Sequence, residues 1–76
     1  MPPVEEHRIV CHLEQLLAQR DMTLVELSER VGTSVANLSI LKNNRAKAVR
    51  FSTLTALCEV LNCAPGDLFA LDDERN

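Results

Sequence analysis

Aromatic residues are nearly missing from this sequence, which has two Phe and no Trp or Tyr among 76 residues. Proteins that hold single-stranded nucleic acid or RNA by base stacking need such side chains, so that class is not expected. No apolar run approaches the roughly 20 residues that cross a bilayer. The first eight residues, MPPVEEHR, are acidic rather than signal-like. We therefore expect no membrane partner.

Cysteine is also scarce, and its pattern argues against a disulfide framework. Cys11, Cys58 and Cys63 are odd in number and contain no CxxC motif, so we expect reduced thiols in a cytoplasmic protein. Zinc binding by these residues with His7 and His12 would lack a paired-ligand spacing. The second and third cysteines fall at positions typical of a core, so packing roles and no metal are predicted.

Length and composition describe one small domain over residues 1–76. The chain is 46% hydrophobic and 25% charged, which is typical of globular proteins. It has no glycine-rich phosphate loop, no nucleophile beside an oriented base and little volume for a pocket. We predict no enzyme activity, no cofactor and no small-molecule ligand.

The net charge of −3 conceals an uneven distribution of charge along the chain. Residues 42–50, KNNRAKAVR, contain four of the eight basic residues and no acid. A solvated loop often carries such a run, so its meaning depends on what lies beside it.

Apolar residues recur at helical spacing throughout, and the pattern predicts an all-α fold of five short helices without strands. The predicted helices cover about residues 4–20, 24–31, 35–43, 53–61 and 65–69. Segment 44–51 is predicted to be a loop and residues 72–76 a frayed tail.

Residues that favour helix ends mark these boundaries. Thr23 and Glu26 are spaced as a capping box at the start of helix 2, and Gly32 can end that helix with a positive φ. The other predicted boundary residues are Pro2 and Pro3 for helix 1, Ser34 for helix 3, Ser52 and Asn62 for helix 4, and Pro65 for helix 5.

The most informative stretch is residues 24–43, LVELSERVGTSVANLSILKN. Only three residues join its two helices, so the chain must turn sharply and the helices must cross closely. Ser28 is small enough for a close crossing, Gly32 permits the turn, and Leu38 and Leu41 can bury one side of the second helix. This set is typical of a helix-turn-helix, although an ordinary helical hairpin would share parts of it.

With these motifs the sequence resembles the Xre/Cro-type helix-turn-helix regulators, which are related to phage repressors. The resemblance covers about residues 13–69: MTLVELSERVGTSVANLSILKNN is similar to helices 2 and 3 of that family, and FSTLTALCEVLNCAPGDLF to helices 4 and 5. RAKAVRFSTL is similar to short, single-domain bacterial members. The resemblance implies a compact, lambda-repressor-like five-helix bundle that binds operator DNA as a dimer.

Two positions depart from the family pattern. Leu24 stands where many members carry a Gln that touches a phosphate and braces the recognition helix, and Leu cannot form that hydrogen bond. Leu17 and Lys42 stand where members often pair an Arg with a Glu. Because both partners differ together, no unpaired buried charge is left, and Lys42 is available to DNA.

If helix 3 is the recognition helix, the residues around its buried leucines face the major groove of DNA. Asn37 is the candidate for a bidentate contact with adenine, while Val35, Ala36 and Ile40 are candidates for contacts with thymine methyl groups. Alternatively, Val35 and Ile40 form a second buried stripe.

Contacts to the DNA backbone are expected from helix N-termini and from the basic loop. The candidates are Thr23, Ser34, Ser39, Lys42, Asn43, Asn44, Arg45 and Lys47. Arg50 is left open, because it can instead pair with an acid or line a dimer interface.

One recognition helix reads few base pairs, so a homodimer on a palindromic operator is expected, with double-stranded DNA as its partner. Apolar residues outside the main stripes would supply the interface or fill the core: Val4, Val10, Leu17, Val49, Val60 and Phe69. The function predicted is sequence-specific transcriptional regulation, as a repressor. The alternative is a protein-interaction module, an antirepressor or adaptor, on the same scaffold.

Overall fold

A computed structural model describes residues 7–72 of the chain. Its elements in chain order are β1 (Ile9–Cys11), α1 (Leu13–Gln19), α2 (Leu24–Val31), α3 (Val35–Lys42), α4 (Phe51–Leu61), α5 (Pro65–Leu68) and β2 (Phe69–Leu71). None of these helices is long and apolar enough to cross a membrane.

A two-stranded antiparallel sheet joins the two ends of this part of the chain. Cys11 lies opposite Phe69 and Ile9 opposite Leu71. The pairing continues on either side, because the His12 amide donates to the Leu68 carbonyl at 2.8 Å and the Asp72 amide donates to the Arg8 carbonyl at 2.6 Å. The fold is therefore mostly helical, and the prediction of an all-α fold without strands is wrong.

The sheet also corrects the ends of the predicted elements. Residues 7–12 are not helical, so helix 1 is shorter than the predicted 4–20, and helix 5 ends one residue before Phe69. Asp72 is hydrogen bonded rather than frayed. The rest of the predicted tail and the predicted first turn at Pro2 and Pro3 lie outside the described residues, as does Val4.

Most of the helix ends that the sequence predicts within the described residues are formed by the predicted residues. Thr23 and Glu26 make the complete capping box, Gly32 has φ of 83°, and Asn62 ends α4 with φ of 54°. Helix 4 is the exception: Arg50, not Ser52, occupies its N-cap position, and no side chain caps it.

Leucine builds almost the whole core of the described region. The buried residues are Cys11, Leu13, Leu16, Leu17, Leu27, Leu38, Leu41, Leu57, Leu61 and Leu68. Each helix contributes at least one of them, which ties all five helices to one centre. Leu17 therefore belongs to the core and not to a dimer interface, whereas Val60 and Phe69 pack partly buried against it.

Asn44 links the end of α3 to the sheet. Its φ is 62°, a left-handed conformation that Asn adopts more readily than most residues. In this position its Oδ1 accepts a 2.7 Å hydrogen bond from the partly buried amide of Cys11. Asn44 thus adopts the backbone conformation that turns the chain, and its side chain provides the hydrogen-bond acceptor for a strand N–H.

Replacing Asn44 with Gly should lower the free energy of unfolding by about 1–3 kcal/mol, since Gly keeps the backbone conformation but leaves the Cys11 amide without its acceptor. Asn44→Asp retains an acceptor oxygen and should recover most of the loss. The neighbouring exposed Asn43→Ala is the control and should change stability by less than about 0.5 kcal/mol. Equal losses for Asn43→Ala and Asn44→Gly in urea unfolding would contradict this assignment.

Candidate nucleic-acid interface

Helix α3 is fixed by a short turn and two buried side chains. Gly32 ends α2, and Ser34 caps α3, where its Oγ accepts a 3.1 Å hydrogen bond from the Asn37 amide. Leu38 and Leu41 are 1% and 8% exposed. Because these two leucines lie on one side of the helix, their burial determines which residues remain outside.

The outer side of α3 is open to solvent. Ser34, Val35, Ala36, Asn37 and Ile40 are all exposed, as the major-groove hypothesis requires. Val35 and Ile40 are 40% and 38% exposed, so the alternative that they form a second buried stripe is wrong. The exposed face is mixed in character, with one amide among small and branched apolar side chains.

The basic loop, residues 44–50, lies beside this exposed face. Part of the exposed face and part of the loop line an open groove of about 740 Å³, which we call the basic groove. Ser34, Asn37 and Ile40 contribute from α3, while Arg45, Lys47 and Arg50 contribute from the loop. None of the described residues that line the groove is acidic. Three of the four cations of the basic run are therefore next to α3 in space, and the fourth, Lys42, is the last residue of α3 itself.

His7 holds the basic loop against the start of β1. Its Nε2 donates to the Ala46 carbonyl at 3.0 Å, and its Nδ1 accepts from the Ile9 amide at 3.1 Å. A carbonyl can only accept and an amide N–H can only donate, so these contacts give Nε2 the donor role and Nδ1 the acceptor role. His7 thus precedes a strand, rather than lying in the predicted helix 1.

Residues that the sequence did not single out also lie at this surface. Arg8 shares a shallow depression of about 520 Å³ with His7, Arg45, Lys47 and the acidic Asp72, and Thr53 of α4 lines the basic groove. No local motif marks Arg8, because it comes beside the loop only through the contacts of the N-terminal segment with residues 44–46.

Seven candidates for DNA contact lie outside the lining of the basic groove: Thr23, Val35, Ala36, Ser39, Lys42, Asn43 and Asn44. Thr23 caps α2 and is exposed. Ser39 is half-buried and accepts a 3.3 Å hydrogen bond from Nδ2 of Asn43, while Lys42 is a half-buried residue at the end of α3. Asn44 is exposed, although its Oδ1 is engaged by β1.

Both departures from the family pattern have a place in the packing. Leu24 begins α2 partly buried against the core, where a longer polar side chain would have to leave it. Leu17 is buried in the core itself. Leu17 and Leu24 therefore serve apolar packing here, whereas Lys42 is a half-buried cation at the end of α3.

Two helices joined by three residues, with the second exposed beside a basic loop, define the helix-turn-helix class of DNA-binding domain. Residues 12–74 match the family described as Cro/C1-type HTH DNA-binding domain. This chain belongs to that family, which confirms the resemblance to Xre/Cro-type regulators.

Two related proteins agree with this assignment. The HTH-type transcriptional regulator YozG of Bacillus subtilis (strain 168) is 57% identical over 60 residues, which cover 79% of this chain and 71% of YozG. The crystal structure of the transcriptional regulator VanUg is similar with a TM-score of 0.70 at 35% identity, over 92% of this chain and 93% of that one.

The cap at Ser34 can be tested against a matched serine. Ser34→Ala removes the acceptor for the Asn37 amide and should cost about 1 kcal/mol of folding free energy. Ser52→Ala, at an exposed position in the first turn of α4, should change stability by less than about 0.5 kcal/mol. Chemical denaturation measures both free energies of unfolding. An equal loss of stability in Ser52→Ala and Ser34→Ala would contradict the capping role given to Ser34.

Proposed function

We propose that this chain is a sequence-specific transcriptional repressor that inserts α3 into the major groove of double-stranded DNA. The observation that carries the proposal is the basic groove, in which Ser34, Asn37 and Ile40 of the exposed face share one surface with three cations of the adjoining loop. A helix in the major groove places the flanking phosphates beside it, where such a loop would meet them.

Sequence reading is assigned to the exposed side of α3. Asn37 has a side chain suited to bidentate hydrogen bonding with adenine, since its amide carries both a donor and an acceptor. Val35, Ala36 and Ile40 offer apolar surface to thymine methyl groups. Exposed branched side chains are costly in water, and a methyl-rich partner surface would give them favourable contacts.

Positioning on the backbone is assigned to helix starts and to the end of α3 with its loop. Thr23 and Ser34 use their side-chain oxygens as caps, and the remaining free N–H groups of the first turns of α2 and α3 favour an anion. The other proposed phosphate contacts are Ser39, Lys42, Asn43, Asn44, Arg45 and Lys47, and the groove adds Arg50.

We further propose that the protein acts as a cytoplasmic homodimer on a palindromic operator, because two-fold related half-sites extend the sequence that is read. Exposed apolar side chains suitable for a protein interface are present: Phe51 is 84% exposed, Leu71 56% and Ile9 43%. Ile9 and Leu71 lie opposite one another in the sheet.

Binding should depend on salt through the loop cations. Selection of duplexes from a random pool should yield a two-fold symmetric site, and its affinity should fall as salt is raised. The double variant Arg45→Gln/Lys47→Gln should bind every duplex more weakly and reduce the slope of log affinity against log salt by about 2. The control is Arg30→Gln, which removes one exposed positive charge at the end of α2, outside the basic groove. It is compared with the single variant Arg45→Gln, which also removes one charge.

Failure to retain any duplex at low salt would refute DNA binding and favour the adaptor alternative. An equal loss in Arg30→Gln and in Arg45→Gln would instead show that overall charge, and not the groove, governs binding.

Asn37→Ala should change which sequences are bound more than how strongly DNA is held in general. Loss of a bidentate contact should cost about 1–3 kcal/mol on the preferred operator and relax preference at one base pair of each half-site. The salt slope should stay as in the wild type, because no charge is removed. Repeating the selection with this variant tests the assignment, and an unchanged base preference would exclude Asn37 from sequence reading.

A further inference from the structure

Two of the three cysteines meet at the end of α4. The Cys63 amide donates to the Cys58 carbonyl at 3.0 Å, and the Asn62 amide donates to the Glu59 carbonyl at 3.3 Å. With Asn62 in the left-handed conformation, these bonds form a Schellman motif. That motif brings the side chains three residues before and two residues after the end of the helix into contact, and here both are cysteines.

The pair is also accessible. Cys58 and Cys63 are free thiols, both half-buried, and both line an open groove of about 700 Å³ along α4 and α5. Among residues 7–72 no cluster of three or more His, Cys, Asp or Glu side chains is placed to hold a metal ion. The chemistry that this surface offers is therefore that of a two-thiol pair.

We propose that Cys58 and Cys63 are a redox-active dithiol that closes to an intramolecular disulfide by exchange with a small-molecule disulfide. The geometry that carries this is the helix end, where a 3.0 Å backbone hydrogen bond joins Cys63 to Cys58 and the two thiols are hydrogen-bonding neighbours. The proposal is independent of DNA binding, since this groove shares no lining residue with the basic groove.

The reaction is a two-step exchange with oxidised glutathione as the oxidant. The Cys58 thiolate attacks one sulfur of glutathione disulfide, whose S–S bond breaks and releases one glutathione. Cys63 then loses its proton and attacks Cys58 Sγ, which breaks the mixed disulfide and releases the second glutathione. The protein loses two electrons and two protons, and both appear in the two molecules of reduced glutathione.

The surroundings of Cys63 favour its role in the second step. Burial raises the pKa of the Cys63 thiol, and the neighbouring Cys58 and Asp67 raise it further, while Arg20 opposes them. A thiol that stays protonated at neutral pH reacts slowly with free glutathione disulfide. Its reaction with a mixed disulfide on the neighbouring cysteine is faster, because that target is already in contact. Closure should therefore become faster with rising pH, about tenfold per unit while the pH stays below the Cys63 pKa.

The test uses the full chain equilibrated with oxidised and reduced glutathione, alkylated after unfolding and weighed by mass spectrometry. The wild type should lose two hydrogens and retain one alkylatable thiol, and peptide mapping should place the link between Cys58 and Cys63. Cys11 is buried, and burial raises its pKa, so Cys11→Ser should give the same loss and no alkylatable thiol.

Single variants distinguish a dithiol from independent thiols. Cys63→Ser should stop at a stable glutathione adduct on Cys58, because the second thiol is missing. Stable adducts on the wild type, a disulfide between two chains, or wild-type thiols that remain reduced at every glutathione ratio would each overturn the proposal. A closure rate independent of pH would overturn the role given to Cys63.

Discussion

Burial of Leu38 and Leu41 behind a three-residue turn is the constraint on which the exposed face of α3, the proposed DNA-binding surface, depends. Each buried leucine contributes roughly 1.5–3 kcal/mol relative to exposure, so rotating α3 about its axis would forfeit several kcal/mol. Gly32 and the Ser34 cap allow that burial without a longer connection. The exposure of Val35 and Ile40 accompanies this burial, because a helix at the surface of a small domain turns one stripe of residues to the core and the others to solvent.

Electrostatics explains why an acidic chain can belong to a DNA-binding family. The net charge is −3, but solvent-exposed charges are screened over about 8 Å at physiological salt. A phosphate in the basic groove would therefore respond mainly to Arg45, Lys47 and Arg50, which line it.

Local signals predicted the helical part of the fold and the exposed face of α3. Short-range interactions determine the capping box at Thr23, the positive φ at Gly32 and the inward leucines, and a sequence pattern can show them because the residues lie within one or two helical turns. The sheet depends on a long-range interaction, because Cys11 pairs with Phe69 from the other end of the chain. The predicted helix 1 began too early because Ile9, a strand residue, lies four residues before Leu13 and so fits the helical spacing of the apolar residues in α1.

The missed sheet matters for the site, because it supports the basic loop. The loop follows α3 through an Arg45 amide that donates to the Ile40 carbonyl, and two contacts then tie it to the N-terminal strand. Asn44 accepts from the Cys11 amide, and His7 donates to the Ala46 carbonyl. Both contacts come from the segment that pairs with β2 at the other end of the chain. The strand that the sequence did not predict therefore lies between the loop cations and β2, and it holds the loop through one side chain and one strand amide.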